Sequence, residues 1–226
     1  APLCQAEETP KHLGPVTGIA VVGSQIYSIS QAGIFREAKR LAKPPFRVMA
    51  MAAGGPLLLL GGGQPAASGE VAVYDTNGGS LAKLRLSDDL VYSVAVSPDG
   101  KTAAAAMADG RVLTLAFPDL APGSVTEANR HEAIVRAVAF SPDGQWLASA
   151  GLDGLVLLTP RNPKAKPVVL ADHSAGVESL AFAPDSGQLA SGSRDGRVRL
   201  HTIGGRLLRT FQGVGEPPDA TGFGQA

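Results

Sequence analysis

One pattern, repeated at regular intervals, restricts the fold of this chain more than any other feature. The clearest copy, at 131–161, has two turn signals between three short apolar runs, which predict antiparallel strands at 135–140, 145–150 and 155–159. Ser-Pro-Asp-Gly at 141–144 suits a type I turn, and Asp153-Gly154 marks a second hairpin. Three or four strands cannot bury their own faces, so this unit requires neighbours of the same kind.

Copies of the pattern cover most of the chain. Two close copies lie at 91–115 and 173–201, and two weaker ones lie at 16–37 and 46–75. The turn prolines at 98, 142 and 184 are 44 and 42 residues apart. A period in the low forties with four strands per unit is typical of a radial propeller, in which each sheet packs on the next. The sequence therefore predicts an all-β propeller of about five four-stranded antiparallel blades, with an ordinary antiparallel sandwich as the alternative.

The pattern also predicts how the chain is divided. Residues 1–11 are an N-terminal segment, and 214–226, rich in proline and glycine, are expected to be a flexible tail or linker. Between them lie five repeats, near 12–42, 43–86, 87–130, 131–172 and 173–213. An outer strand at 206–213 would complete the last repeat, and a further strand at 4–9 would be one too many for a five-blade ring. Three alternatives follow: a closed ring, an open arc that a partner completes, or a fragment.

Several residues of the last repeats resemble the WD-repeat β-propeller family. The evidence is the two proline turns, the Asp-Gly hairpins, and a histidine 22 residues before the hairpin aspartate. In the family, that histidine and aspartate form a buried hydrogen-bond network with a serine of the second strand, and such networks specify a fold. The resemblance implies this scaffold role for His131, Ser149 and Asp153 in repeat four and for His173, Ser191 and Asp195 in repeat five.

The sequence departs from the family at two positions. The Trp-Asp pair that names the family is replaced in the last three repeats by Leu115-Ala116, Thr159-Pro160 and His201-Thr202. In repeat three, Ser87 stands at the histidine position, 22 residues before Asp109. The network is therefore expected to be incomplete in every repeat.

The resemblance also implies where a partner would bind. In the family, partner-binding residues often lie at the start of the innermost strand and in the hairpin before the conserved aspartate. Arginine and tyrosine, the types enriched at binding hot spots, occur at several of these positions. The candidates are Arg47, Tyr92, Arg136 and Glu178 at the strand starts, and Leu152 and Arg194 in the hairpins. The alternative is that these residues are ordinary solvated positions.

The sequence predicts no catalytic residue, no cofactor and no metal site. His131-Glu132 begins like the zinc motif His-Glu-x-x-His, but the fifth residue is Val135 and the segment precedes a strand. Cys4, the only cysteine, has no neighbouring base. The glycine-rich segment 61–69 lacks the Gly-Lys-Ser/Thr ending of a phosphate-binding loop and is expected to be a flexible hairpin loop.

Charge and hydropathy exclude further classes. Lys+Arg 20 and Asp+Glu 20 give zero net charge, so no electrostatic attraction to nucleic acid or anionic membrane is expected. The most apolar window, 48–63, has 16 residues and is interrupted by Pro56, which makes it unsuitable as a membrane span. A start at Ala-Pro-Leu without methionine is compatible with signal-peptide removal, and favours a bacterial periplasmic or secreted protein over a cytoplasmic one.

The leading hypothesis is a non-enzymatic scaffold for protein-protein interactions, with another protein of unknown identity or a further copy of the chain as partner. A second hypothesis is an accessory subunit or domain of a redox or other multi-subunit enzyme complex. A third is a propeller enzyme that uses its central channel for metal-assisted hydrolysis. The fold alone does not separate the three, because one fold serves many functions.

Overall fold

Five four-stranded antiparallel sheets make up the described part of the chain. The computed structural model describes residues 15–37, 39–162 and 166–213, without the side chains of Ala171 and Asp172. The predicted segments 1–11 and 214–226 lie outside these residues. In each sheet the strands are paired in their order along the sequence. The predicted all-β propeller architecture of five four-stranded sheets is therefore confirmed.

The first two sheets use the strands before residue 88. The first contains β1 Gly18–Val22, β2 Gln25–Ser30, β3 Gly33–Arg36 and β4 Lys39–Ala42. The second contains β5 Arg47–Gly54, β6 Leu57–Gln64, β7 Ser68–Asp75 and β8 Ser80–Ser87.

The remaining three sheets follow without a break in the order. The third contains β9 Val91–Val96, β10 Thr102–Met107, β11 Arg111–Ala116 and β12 Thr126–Arg130, with a short 3-10 helix at Pro122–Ser124. The fourth contains β13 Val135–Phe140, β14 Trp146–Gly151, β15 Leu155–Pro160 and β16 Val168–Asp172, and the fifth contains β17 Val177–Phe182, β18 Gln188–Ser193, β19 Arg197–Thr202 and β20 Leu207–Gln212. The described residues form no helix of the length and apolarity needed to cross a membrane.

The Ser-Pro-Asp-Gly turns set the length of the first hairpin in the third and fourth sheets. The N–H of Gly144 donates to the carbonyl oxygen of Ser141 at 2.8 Å, and Gly144 has a φ of 69°. A left-handed conformation of this kind strains most residues other than glycine. The same bond joins Gly100 to Ser97, also at 2.8 Å. In the fifth sheet Ser186 takes the turn position with a φ of 60°, and its hydroxyl accepts a bond from the N–H of Asp143 at 3.0 Å.

Neighbouring sheets pack face to face through small and branched apolar side chains. The inner strands follow one another, so that β1 packs against β5, β5 against β9, β9 against β13, and β13 against β17. Between the third and fourth sheets, Ala104, Ala106 and Val112 on one side meet Val138 and Leu147 on the other. Alanine at the centre of β10 lets the next sheet approach closely, which gives the dense packing of a protein core.

The five sheets form an open arc. Within the described residues, the fifth sheet does not pack against the first in the way that successive sheets pack against each other. The strand β20, predicted at 206–213, pairs with β19 and completes the fifth sheet. Of the three alternatives, a closed five-sheet ring is therefore wrong.

The expectation of a flexible loop at 61–69 is wrong over most of its length. Gly61, Gly62 and Gly63 pair with β7, and only the residues between Gln64 and Ser68 form the turn. The glycines are needed because β5 and β6 approach each other closely. A Cβ atom on Gly62 would lie 1.9 Å from the carbonyl oxygen of Arg47.

We expect Gly62→Ala to destabilise the protein by about 1 to 3 kcal/mol, because the added methyl group forces the backbone of β5 to move. Gly123→Ala is the matched control, since a Cβ atom at Gly123 would meet nothing within 4 Å. Urea unfolding of both variants measures the difference. Equal stabilities would contradict the close approach of β5 and β6.

Candidate functional site

A β-bulge interrupts the first strand of four sheets. Pairing between the first and second strands shifts register by one residue, and the extra residue on the first strand has no partner. Bulges re-aim the side chain of the extra residue and often lie near binding sites. The bulge residues are Met49, Tyr92, Arg136 and Glu178. Three of the predicted partner-binding candidates are therefore bulge residues.

The bulges bring candidate residues of three sheets into one line of contacts. The guanidinium of Arg136 lies over the ring of Tyr92, 4.7 Å from its centroid. Arg136 Nε donates to Glu178 Oε2 at 2.9 Å, and Arg194 Nε donates to Glu178 Oε1 at 2.6 Å. We call Tyr92, Arg136, Glu178 and Arg194 the bulge cluster. It runs across the third, fourth and fifth sheets, at the end where each inner strand begins.

The carboxylate of Glu178 holds the bulge cluster together. Partial burial raises the pKa of Glu178, but the hydrogen bonds and positive charges of Arg136 and Arg194 outweigh it, so the pKa lies below its usual value. The carboxylate is therefore ionised at neutral pH. The two arginines differ in exposure, since the side chain of Arg194 is 58% exposed and that of Arg136 is 30% exposed. Arg194 is the member of the cluster that is most open to a partner.

The other two candidates lie outside the cluster. Leu152 is half-buried and packs over the next sheet, since a Cβ atom on Gly176 would lie 2.7 Å from its Cδ2. Arg47 is exposed and has no ion pair among the described contacts. The equivalent of Tyr92 in the second sheet is Met49, two residues further on, because the bulge lies between Val48 and Ala50. Aligning the repeats by their alanines misplaced this position.

The fourth sheet contains a buried polar network. His131 Nδ1 lies 3.0 Å from Asp153 Oδ2, and His131 Nε2 lies 2.9 Å from Ser149 Oγ. Ser149 donates to Asn129 Oδ1 at 3.2 Å, and Asn129 donates to Thr159 Oγ1 at 2.6 Å. The structure thus joins the three predicted residues and adds Asn129 and Thr159. Thr159 stands where the family has tryptophan, so the amide of Asn129 continues the network in its place.

The fifth sheet repeats part of this network. His173 Nδ1 lies 3.1 Å from Asp195 Oδ2, and His173 Nε2 lies 2.8 Å from Ser191 Oγ. Burial raises the pKa of Asp195, but the hydrogen bond from His173 and backbone N–H donors lower it overall. Each histidine therefore ties the hairpin between the second and third strands of its sheet to the segment that precedes the first strand.

The third sheet lacks the network altogether. Ala105 occupies the serine position, since it pairs with Val94 and Leu113 as Ser149 pairs with Val138 and Leu157. Ser87 Oγ bonds the carbonyl oxygen of Asp89 instead of reaching Asp109. The Asp109 carboxylate binds its neighbour Arg111 at 2.7 Å. The hairpin of this sheet is held by that ion pair and by backbone bonds.

One histidine is buried without a complete set of partners. His201 in β19 is 5% exposed, and its Nδ1 has no hydrogen-bond partner. Burial lowers the pKa of His201, and the positive charges of His173 and Arg199 lower it further. The imidazole is therefore neutral at neutral pH and costs free energy to protonate.

A groove of about 750 Å³ lies between the third and fourth sheets, at the end opposite the bulge cluster. Phe140, Trp146 and Pro160 form apolar parts of its wall, and Arg161 reaches across to Asp99 at 2.6 Å. The described residues contain no group of three or more His, Cys, Asp or Glu side chains that could hold a metal ion. Apolar contact and ion pairing are the interactions that these surfaces offer.

The repeated sheets and their histidine networks define a β-propeller built from homologous units. Comparison with family models identifies the units, since the model of the WD domain, G-beta repeat, matches residues 78–113, 124–158 and 166–202. These matches include the inner strands of the third, fourth and fifth sheets. The chain therefore belongs to the WD-repeat β-propeller family, and the resemblance found in the sequence is confirmed. Domains of this family are in general protein-interaction scaffolds and typically non-catalytic.

Solved structures show the same fold. The computationally designed Ika8 protein matches with a TM-score of 0.72 and 21% identity over 89% of this chain. The WD40 β-propeller domain of Doa1 matches with a TM-score of 0.72 and 18% identity over 90% of this chain. This chain spans 63% of the length of the designed protein and 70% of the Doa1 domain. A search of curated proteins finds no match.

We expect Ser149→Ala to lower the free energy of unfolding by about 1 to 3 kcal/mol, because it leaves buried polar atoms of His131 and Asn129 without a partner. Ser80→Ala is the control, since Ser80 is exposed and such changes usually alter stability by less than about 0.5 kcal/mol. Denaturant unfolding at pH 7 compares them. A similar loss in both variants would argue against the network.

We expect stability to fall as the pH drops below 6.5, partly because of His201. In the unfolded chain this imidazole binds a proton with the ordinary pKa of 6.5, whereas its folded pKa is lower. The unfolded state therefore binds more protons just below pH 6.5, and its contribution to stability is lost as the pH falls. His201→Leu should make the decline between pH 7 and pH 5 shallower in thermal unfolding. An unchanged slope would contradict a neutral buried His201.

Proposed function

We propose that this chain is a non-enzymatic scaffold that binds a partner protein through the bulge cluster. The observation that carries the proposal is the continuous line from Tyr92 to Arg194, joined by contacts of 4.7, 2.9 and 2.6 Å across three sheets. Side chains from three separate repeats are combined there into one surface. The general role of the family as protein-interaction scaffolds supports the same reading.

The bulge cluster is ordered before any partner arrives. Glu178 binds both arginines, and Arg136 also stacks on Tyr92, so the long side chains already have reduced freedom. Binding through flexible arginines costs rotamer entropy, and a preorganised side chain avoids much of that cost. Tyrosine and arginine are also the residue types that contribute most at protein interfaces. These properties favour a binding surface over ordinary solvated positions.

The charges of the bulge cluster favour an acidic partner surface. Two arginines face one glutamate, so the cluster carries one excess positive charge, and the most exposed cation is Arg194. A partner carboxylate near Arg194 could form an ion pair while Glu178 keeps its bond to Arg136. Complementary charges raise the rate of association and fix the orientation of the complex.

We expect the double substitution Arg136→Glu and Arg194→Glu to lower partner binding about tenfold or more, since like charges then face the partner at the centre of the surface. The tagged chain is cross-linked in cells of its source, and the proteins cross-linked through the third to fifth sheets are quantified by mass spectrometry. The thermal unfolding midpoint of the variant is measured in parallel, to show that it folds.

Arg130→Glu is the matched control. Arg130 is an exposed arginine that pairs with Glu127 on the outer strand β12, away from the bulge cluster. Proteins that bind the cluster should be retained by this variant and lost from the double variant. Retention of every cross-linked protein by a folded double variant would refute the proposed surface.

A further inference from the structure

The two ends of the arc expose the faces that are buried everywhere else between sheets. On the first sheet Ile19, Val21 and Ile26 are 64%, 60% and 57% exposed. Strand pairing shows that they lie on one face, because Val21 is opposite Ile26 and two residues from Ile19. A contiguous patch of branched aliphatic side chains of this kind marks a binding surface.

The same positions are covered in the later sheets. Val21 and Ile26 correspond to the pairs Phe140 with Leu147 and Phe182 with Leu189, which have the same register. Leu147 packs against the third sheet and Leu189 against the fourth, and both are buried. The exposed face of the first sheet is therefore the one that would pack on a preceding sheet.

The fifth sheet exposes the opposite face. Val198 and Phe211 are paired, and they are 41% and 46% exposed. Val198 corresponds to Val156 in the fourth sheet and Val112 in the third, each fully buried against the next sheet. A shallow cavity of about 450 Å³ lies over this face and is lined by Val198 and Phe211. The two open faces are thus the two halves of the interface that joins neighbouring sheets.

The curvature of the arc sets the size of what fits between them. The five sheets superpose on 63% of one longer propeller and 70% of another. Five divided by these fractions gives about eight and about seven sheets, if the sheets are of equal length, and rings of this size are ordinary for propellers. The gap therefore has room for about two or three sheets. A second copy of this chain brings five sheets and does not fit it.

We propose that the gap between the first and fifth sheets binds a partner protein that supplies two or three further four-stranded sheets. One end of the partner packs branched apolar side chains on Val198, and the other packs small ones on Ile19 and Val21. This inference goes beyond the scaffold function proposed for the bulge cluster. It concerns different faces, and its test uses no variant of the cluster.

The test measures thiol accessibility at both open faces, in a Cys4→Ser background. Val21→Cys and Val198→Cys each place a thiol on one open face, and Leu81→Cys, on the exposed outer strand β8, is the control. Copies of the chain's own sheets are joined after Gly213 as the probe. They comprise one sheet (131–172), two sheets (87–172) or three sheets (87–213), and the last two are also co-expressed as separate polypeptides.

We expect one added sheet to slow labelling at Val198→Cys only. Two or three added sheets should slow labelling at Val198→Cys and Val21→Cys about tenfold or more, because both faces then become buried and react only through opening. Labelling at Leu81→Cys should stay unchanged. Protection of both faces by the separate polypeptide supports a partner in trans.

Three results would overturn the proposal. If neither the two-sheet nor the three-sheet extension protects Val21→Cys, the gap does not have the stated size. If labelling of the unextended chain slows as its own concentration rises, the occupant is a second copy. If protection requires the covalent link, the sheets do not come from a separate chain.

Discussion

The packing of one sheet's face against the next is the interaction on which the rest of this molecule depends. Each four-stranded sheet has two apolar faces, and neither face is covered by anything within its own repeat. The side chains at the centre of the second strands are small, with alanine from Ala103 to Ala106 in β10 and Ala148 and Ala150 in β14, all buried. Small side chains bring the sheets close together, and bulkier valine and leucine residues of the neighbour fill the space between them.

The histidine networks have a narrower role. The third sheet lacks both the histidine and the serine, yet the residues of β10 from Ala103 to Met107 are fully buried. Its packing therefore does not depend on the network. In the fourth and fifth sheets the network instead fixes the hairpin and the segment before the inner strand, at the same end as the bulge cluster. Since a buried, satisfied network holds its members rigidly, it supports the bulge residues Arg136 and Glu178 from below.

Local signals in the sequence predicted the sheets well and their assembly poorly. The strand at 135–140 was predicted to the residue, because a proline turn and a histidine bracket it. Met49 was missed because a bulge adds a residue without leaving any local sign in composition, so the alanine alignment of the second repeat was displaced. The close contact that requires Gly62 involves β5, which lies more than ten residues away. Closure of the ring depends on the angles between sheets, which no repeat pattern specifies.

The bulge cluster and the open face of the fifth sheet meet along one edge. Glu178 and Arg194 belong to the cluster and also line the cavity over Val198 and Phe211. A sheet packed on that face would remove Arg194 from solvent, which strengthens its ion pair with Glu178 but removes the cluster's most exposed cation. An interaction of this kind couples the two surfaces, because filling the gap changes what the cluster offers to a partner. The fifth sheet is the element through which both proposed contacts act.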